Sequence, residues 1–94
     1  MNMPIELTNI EREARALLAG CPVPWSPEAT MIRSIFRWQY AASFTADDIT
    51  AIGKATYCVT EWDPQPVLTA MVRAKTLRSR TVGGRRLYEV ALAV

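Results

Sequence analysis

The sequence predicts a single small α+β domain, mainly helical, that ends in a β-hairpin. The chain has 94 residues and half of them are apolar, which is enough for one hydrophobic core and too little for two. Apolar residues recur at helical spacing as far as Lys75. Residues 77–90, LRSRTVGGRRLYEV, then alternate and turn on Gly83-Gly84, a dipeptide that accepts the positive backbone angles of a two-residue hairpin.

The first predicted helix covers residues 8–19. Thr8 and Glu11 have the spacing of a capping box, in which each side chain satisfies a free backbone N–H of the other residue, so we expect the helix to start at Thr8. Gly20 can adopt the left-handed conformation that closes a helix. The apolar face consists of Ile10, Ala14, Leu17 and Leu18.

The second predicted helix runs from Pro27 to about Ala42. Ser26 followed by proline is a start signal, because proline at the first helical position loses no hydrogen bond. Its apolar face is formed by Met31, Ile32, Ile35, Phe36 and Gln39, and Trp38 and Tyr40 widen it.

A third helix is predicted from Thr45, which has capping-box spacing to Asp48. Phe44 can pack onto Ile49 as a hydrophobic staple, and Gly53 is placed to end or bend the helix. The next stretch, KATYCVTEWD, fits either a short strand or an extension of the helix, so we leave it as irregular or helical.

The fourth predicted helix covers residues 64–75. Asp63 is a cap, and proline follows it in the first turn. Its buried stripe of Leu68, Met71 and Val72 leaves a second stripe exposed. That exposed stripe consists of Gln65, Thr69 and Arg73, which are side chains of the kinds that reach base edges and phosphates.

The Gly83-Gly84 turn fixes the register of the hairpin. It pairs Val82 with Arg85, Ser79 with Tyr88, Arg78 with Glu89 and Leu77 with Val90. One face of the hairpin is then mainly apolar and carries Leu77, Ser79, Tyr88 and Val90. The other face carries Arg78, Arg80, Arg85 and Leu87.

Positive charge is concentrated late in the chain. The net charge is only +2, but residues 64–88 carry +6 and the remainder carries −4. No acidic residue lies between Pro64 and Tyr88. The six cations of this stretch are Arg73, Lys75, Arg78, Arg80, Arg85 and Arg86. Such a cluster is typical of a surface that contacts nucleic acid.

The run FTADDITAIG followed by PVLTAMVRAKTLRSRTVGGRRLYEV resembles the winged helix-turn-helix family of DNA-binding domains. The resemblance covers about residues 28–92, with residues 27–92 as the winged core and residues 8–19 as an extra helix. It implies that PQPVLTAMVRAK is the recognition helix and LRSRTVGGRRLYEV the wing. Lys75-Thr76 occupies the bend where the family usually has glycine.

The resemblance implies contact with double-stranded DNA. The DNA-binding residues predicted are Gln65, Thr69, Arg73, Lys75, Arg78, Arg80, Arg85 and Arg86. Arg78 is the weakest of these because Glu89 lies opposite it, and the arginines nearer the tip are the stronger candidates. Arginines on an exposed hairpin can also serve only to keep a sheet edge soluble.

We therefore expect a small cytoplasmic regulator of transcription or replication. The helix at residues 8–19 is not needed by the winged core and could form a homodimer, which would suit two-fold symmetric DNA sites. The alternative is a winged-helix protein-interaction module, such as a small inhibitor or adaptor from a phage or mobile element, because one fold serves many functions.

Other functions have little support in the sequence. Asp47 and Asp48 suit the first turn of a helix, and the chain has no histidine, so a Cys-His nucleophile is excluded and a zinc site lacks its usual ligands. We expect no enzyme activity and no cofactor. Cys21 and Cys58 are expected as reduced thiols, with Cys58 in the core. The three tryptophans are expected in the core or at an interface. No apolar run is long enough for a membrane span.

Overall fold

The computed structural model describes residues 5–58 and 61–92, with side chains from residue 9 onward. Four helices precede one hairpin. They are α1 (Ile5–Ala19), α2 (Pro27–Trp38), α3 (Ala46–Tyr57), α4 (Gln65–Arg73), β1 (Leu77–Val82) and β2 (Arg85–Val90). The predicted α+β class, mainly helical with a C-terminal hairpin, is confirmed.

The predicted end of α1 at Ala19 is confirmed, but its predicted start at Thr8 and the left-handed cap at Gly20 are wrong. The helix already includes Ile5, so Thr8 lies inside it, whereas a capping residue needs an extended backbone outside the helix. Threonine and glutamate at this spacing also occur within an amphipathic helix. At the other end, the N–H of Gly20 donates to the carbonyl of Ala16 at 2.9 Å. Gly20 does not have a positive φ, so no left-handed cap closes α1.

The start of α2 is as predicted, but the helix ends earlier. The hydroxyl of Ser26 accepts a hydrogen bond from the N–H of Ala29 at 3.0 Å. The helix stops at Trp38 rather than near Ala42, and Gln39 is exposed. The chain turns here because Phe44 forms a single antiparallel bridge to Tyr88 of β2, with N···O distances of 2.9 and 2.7 Å. Pairing with a distant strand thus overrides the helical pattern.

The capping box of α3 is confirmed by two hydrogen bonds of 3.0 Å between Thr45 and Asp48. Of the two alternatives left open for the next stretch, the helical extension holds as far as Tyr57: α3 does not end at Gly53 but closes on Cys58, which has a φ of 56°. Gly53 instead makes room for an aromatic ring. A methyl group on it would lie 2.5 Å from the indole of Trp62. Residues 59 and 60, part of the ambiguous stretch, lie outside the described residues.

The last helix and the hairpin follow the predicted order. The Asp63 carboxylate accepts from the N–H of Gln65 at 3.0 Å, and α4 is shorter than predicted at nine residues. The register of the hairpin is confirmed at every predicted pair. Gly83 and Gly84 have φ values of 58° and 75°, as a two-residue type I′ turn requires.

One hydrophobic core joins all six elements. Its members are Ala14 and Leu18 of α1, Ala29, Ile32, Ile35 and Phe36 of α2, Ile49 of α3, Leu68 and Met71 of α4, and Leu77, Tyr88 and Val90 of the hairpin, with Cys21. The apolar face of α1 therefore packs against the core of its own chain. This packing removes the physical reason for expecting a homodimer through the same face.

Both cysteines are free, as predicted, but Cys58 does not lie where the sequence placed it. Cys21 is buried and Cys58 is exposed, and neither forms a disulfide. The prediction that Cys58 lies in the core is wrong because it occupies the left-handed cap at the surface end of α3. Within the described ranges, no helix has the length and apolar character needed to cross a bilayer.

Candidate nucleic-acid interface

The predicted polar stripe of α4 lies at the surface. Gln65, Thr69 and Arg73 are all exposed, whereas Leu68 and Met71 are fully buried on the inner side of the same helix. The periodicity of the sequence therefore assigned both faces of α4 correctly. An α-helix with its side chains is about 10–12 Å in diameter, and a DNA major groove of about 12 Å width admits it.

A hydrogen bond ties the start of α4 to the hairpin. The side-chain amide of Gln65 donates to the hydroxyl of Tyr88 at 2.9 Å and to the hydroxyl of Thr69 at 3.3 Å. The ring of Tyr88 is buried in the core, so this contact links the exposed start of α4 to β2. Tyr88 was predicted only as an apolar residue, because its partner in α4 is 23 residues away in sequence.

The hairpin divides its arginines between two faces. Side chains alternate along a strand, so in the observed register Ser79, Thr81 and Arg86 project on the side of Tyr88. Arg78, Arg80 and Arg85 project on the opposite side, together with Glu89. The hairpin arginines are close together in sequence, but they lie on two opposite faces of the hairpin and do not form one positively charged surface.

Glu89 pairs with two of the arginines on its face. Its carboxylate accepts from the Nε of Arg80 at 2.6 Å, from the Nε of Arg78 at 2.7 Å and from the hydroxyl of Ser43 at 2.8 Å. Partial burial raises the pKa of Glu89, but the hydrogen bonds from Arg80, Ser43 and Arg78 outweigh it and lower that pKa from 4.5 to about 2.

The pairing changes the ranking of the candidate residues. Arg78 is ion-paired as the cross-strand pairing predicts, but Arg80 pairs with the same carboxylate, so the two guanidinium groups share one negative charge and keep one net positive charge. A diagonal neighbour across a hairpin is within reach of a long side chain, and that rule could have identified the second contact. Ser43 could not have been found from sequence, because it lies 46 residues from Glu89.

Four cations of the predicted site remain without an ion pair to any residue in the described ranges. These are Arg73 of α4, Lys75 of the bend, and Arg85 and Arg86 of the hairpin tip, and all four are exposed. The charge of Arg85 still reaches Asp48. The backbone and side-chain hydrogen bonds of Thr45 are the largest causes that lower the pKa of Asp48, and Arg85 adds a smaller lowering.

Lys75 holds an unfavourable backbone conformation between α4 and β1. Its φ is 62°, in the region that favours glycine. The N–H of Lys75 donates to the carbonyl of Val72, and the N–H of Thr76 to that of Met71, both at 3.0 Å. These two bonds form a Schellman motif with Lys75 at the position where glycine is most common. A lysine at this bend costs stability and places a cation between helix and hairpin.

One edge of α4 is bordered by the connection between α1 and α2. A groove of about 410 Å³ separates Pro22, Val23 and Pro24 from Thr69 and Arg73. The groove leaves the two α4 side chains exposed. A DNA backbone approaching α4 from this side would meet the proline-rich connection.

Two tryptophans lie at the surface outside this region. The exposed fraction is 72% for Trp25 and 82% for Trp38, whereas Trp62 packs partly against the core. In the part of the chain that the structure describes, no group of histidine, cysteine or acidic side chains could hold a metal ion.

Comparison with known proteins gives no relative: no protein-family model, no curated protein and no solved structure matches the chain.

Proposed function

We propose that this protein binds double-stranded DNA through α4 and the tip of the hairpin, in the manner of a winged helix-turn-helix domain, and that it regulates transcription or replication. The observation that carries the proposal is the hydrogen bond from Gln65 to Tyr88. It links the exposed stripe of α4 to the hairpin face that bears Arg86, and the shared core packs the two elements together. A helix and a hairpin held at one angle can contact a groove and its flanking backbone together.

The charges in this region support contact with phosphates. Arg73, Lys75, Arg85 and Arg86 are exposed cations without an ion pair among the described residues. Cations of this kind neutralise phosphates and release the counterions condensed on DNA, a term that supplies most of the non-specific affinity. Arg78 and Arg80 contribute less, because they project on the opposite face of the hairpin and share the negative charge of Glu89.

The side chains of α4 take different roles in this proposal. Gln65 is a positioning residue, since its amide nitrogen already donates to Tyr88 and Thr69. Arg73 is the best candidate for a base contact, because a guanidinium can donate two parallel hydrogen bonds to guanine. Thr69 lies one turn before it on the same face and contacts a base edge or a phosphate.

The element order supports the winged-helix part of the proposal. Three helices, α2 to α4, are followed directly by the hairpin. α3 extends beyond Gly53 to Tyr57, so the connection to α4 begins only at Cys58. The single bridge between Phe44 and Tyr88 adds an extended residue beside β2 and anchors the hairpin to the helices.

Binding to a labelled 30-base-pair duplex of random sequence tests the proposal by fluorescence anisotropy in 50 mM salt. The wild-type protein should bind, and the double variant Arg73→Ala/Arg86→Ala should bind at least tenfold more weakly, because each lost phosphate contact removes one counterion-release step. The matched control is Arg12→Ala/Lys54→Ala, which removes the same charge from exposed positions on α1 and α3. Equal weakening in both double variants, or no binding by the wild type, contradicts the proposal.

A second function is favoured by one observation. Trp25 precedes α2 and Trp38 is its last residue, and both side chains expose most of their surface. Tryptophan is enriched at protein interfaces. The protein would then be an interaction module, such as an inhibitor or adaptor. Failure of the wild type to bind duplex at low salt, together with loss of partner binding in Trp38→Ala, would favour this function over the first.

A further inference from the structure

A cavity between α1 and α2 is surrounded by arginines. Its volume is about 420 Å³, and its lining includes Arg15 of α1, Arg33 and Arg37 of α2, the indole of Trp25 and the apolar side chain of Leu18. None of its lining residues is acidic. It is distinct from the surface of α4 and the hairpin tip, since it shares no lining residue with either.

Arg33 is the central group of this cavity. It is only 7% exposed. Its Nη2 donates to the backbone carbonyls of Cys21 and Val23 at 3.2 and 3.0 Å, and its Nε has no hydrogen-bond partner. No carboxylate in the described ranges forms an ion pair with it. A buried cation without a counter-charge, and with an unsatisfied donor, is costly in free energy.

Two further arginines in the lining add positive charge to that of Arg33, and Trp25 supplies an apolar surface. Arg37 is exposed in the last turn of α2. Arg15 pairs with Glu11 at 2.7 Å, but both side chains are at least 40% exposed, and an ion pair of this kind contributes little. The ring of Trp25 stacks on the guanidinium of Arg33, 3.8 Å from ring centre to Cζ. Its large exposed surface makes it an apolar wall for a ligand entering from solvent.

We propose that this cavity is a binding site for a carboxylate or phosphate group carried by an apolar body. The anion lies between the guanidinium groups of Arg33 and Arg37, which match the planar geometry of a carboxylate or phosphate. The apolar body lies against Trp25 and Leu18. The volume suffices for a ligand the size of a substituted aromatic acid. This site does not depend on DNA binding.

Three probes test the site by NMR: benzoate, phenyl phosphate and the neutral control benzamide. The signals followed are the Nε–Hε group of Arg33 and the indole N–H of Trp25. Benzoate or phenyl phosphate should shift both signals with a dissociation constant on the order of 1 mM, as expected for so small a ligand. Tighter binding of phenyl phosphate identifies the natural ligand as a phosphate ester, and tighter binding of benzoate identifies it as a carboxylate. Equal shifts with benzamide, or no shift with either anion at 20 mM, overturn the proposal.

Three variants distinguish a loss of binding at this cavity from a loss of the native fold. Arg37→Gln removes a charge-assisted contact and should weaken benzoate binding about tenfold. Arg12→Gln, an exposed arginine of α1 outside the cavity lining, should leave binding unchanged. Arg33→Lys keeps the charge but loses the fork of donors, and it should weaken binding while the backbone spectrum stays native. Unchanged binding in Arg37→Gln would overturn the site, as would equal loss in Arg12→Gln.

Discussion

Two arginines of the same hairpin should differ in their effect on DNA binding. Arg86 projects on the side of Tyr88 and has no ion pair in the described structure, whereas Arg78 projects on the opposite side and pairs with Glu89 at 2.7 Å. Arg86→Ala and Arg78→Ala change the net charge equally. Only the first removes a cation that the proposed interface leaves available for a phosphate.

The expected magnitude follows from counterion release. Arg85 projects on the face of Glu89, which leaves Arg73, Lys75 and Arg86 for the proposed interface. Three contacts give a slope of about −2.7 for the logarithm of the association constant against the logarithm of salt concentration, at about −0.9 per phosphate contact, and the wild-type affinity should fall about 40-fold between 50 and 200 mM salt. In Arg86→Ala the slope should be about −1.8, the fall about 12-fold, and the affinity at 0.1 M salt about eightfold weaker than in the wild type.

Fluorescence anisotropy with a random-sequence duplex, repeated at four salt concentrations, measures these slopes. Arg78→Ala should keep the wild-type slope within error, since Arg78 projects away from the proposed DNA face and pairs with Glu89. Equal slopes in the two variants would mean that binding depends only on net charge. A larger loss in Arg78→Ala would place DNA on the face of Glu89 and refute the proposed orientation.

Three further predictions concern the fold around this interface. Because the pKa of Glu89 is lowered to about 2, its pairing with the arginines stabilises the protein above the ordinary pKa of 4.5, and this stabilisation is lost as pH falls toward about 2. A carbon NMR titration of Glu89 should show a midpoint near 2, and a midpoint near 4.5 would contradict the pairing. Gly53→Ala should lower the free energy of unfolding by about 1 kcal/mol in urea denaturation, because overpacking against Trp62 outweighs the gain in helix propensity; the double variant with Trp62→Leu should lose this penalty. Lys75→Gly should raise the free energy of unfolding by about 1 kcal/mol, because glycine accepts a positive φ without strain. The same variant should weaken duplex binding, because it removes a cation. The neutral control Lys75→Asn, which introduces a residue that tolerates a positive φ, should weaken binding equally.

Local signals predicted the helices where their caps and periodicity agree. Ser26 and the Thr45–Asp48 pair marked true starts because capping is satisfied by neighbouring backbone alone. The glycine pair likewise fixed every partner in the hairpin. The predicted end of α2 is wrong and the end of α3 was left open, because both depend on distant groups. Phe44 pairs with Tyr88 of the hairpin, and Gly53 lies inside α3, where the ring of Trp62 packs against it.

The sequence predicted on which face of α4 or of the hairpin each candidate residue lies. Periodicity placed the stripe of α4 at the surface, and alternation divided the hairpin into two sides. Which cations are paired was not predictable from a count of charges, since it depends on side-chain reach and on Ser43 from another element. The arginine-lined cavity was missed for a related reason. Its three arginines lie on two helices, and no spacing in the sequence relates Arg15 to Arg33.

The outer edge of β1 has no strand beside it in the described structure. Phe44 lies next to β2, so the sheet order is Phe44, β2, β1, and the free edge belongs to residues 77–82. Unpaired backbone donors and acceptors along such an edge can recruit the same edge of another molecule. Arg78 and Arg80 repel a second copy that approaches in this way. The ion pairs with Glu89 hold these two guanidinium groups in place, so the residues withdrawn from the proposed DNA surface protect the protein against self-association.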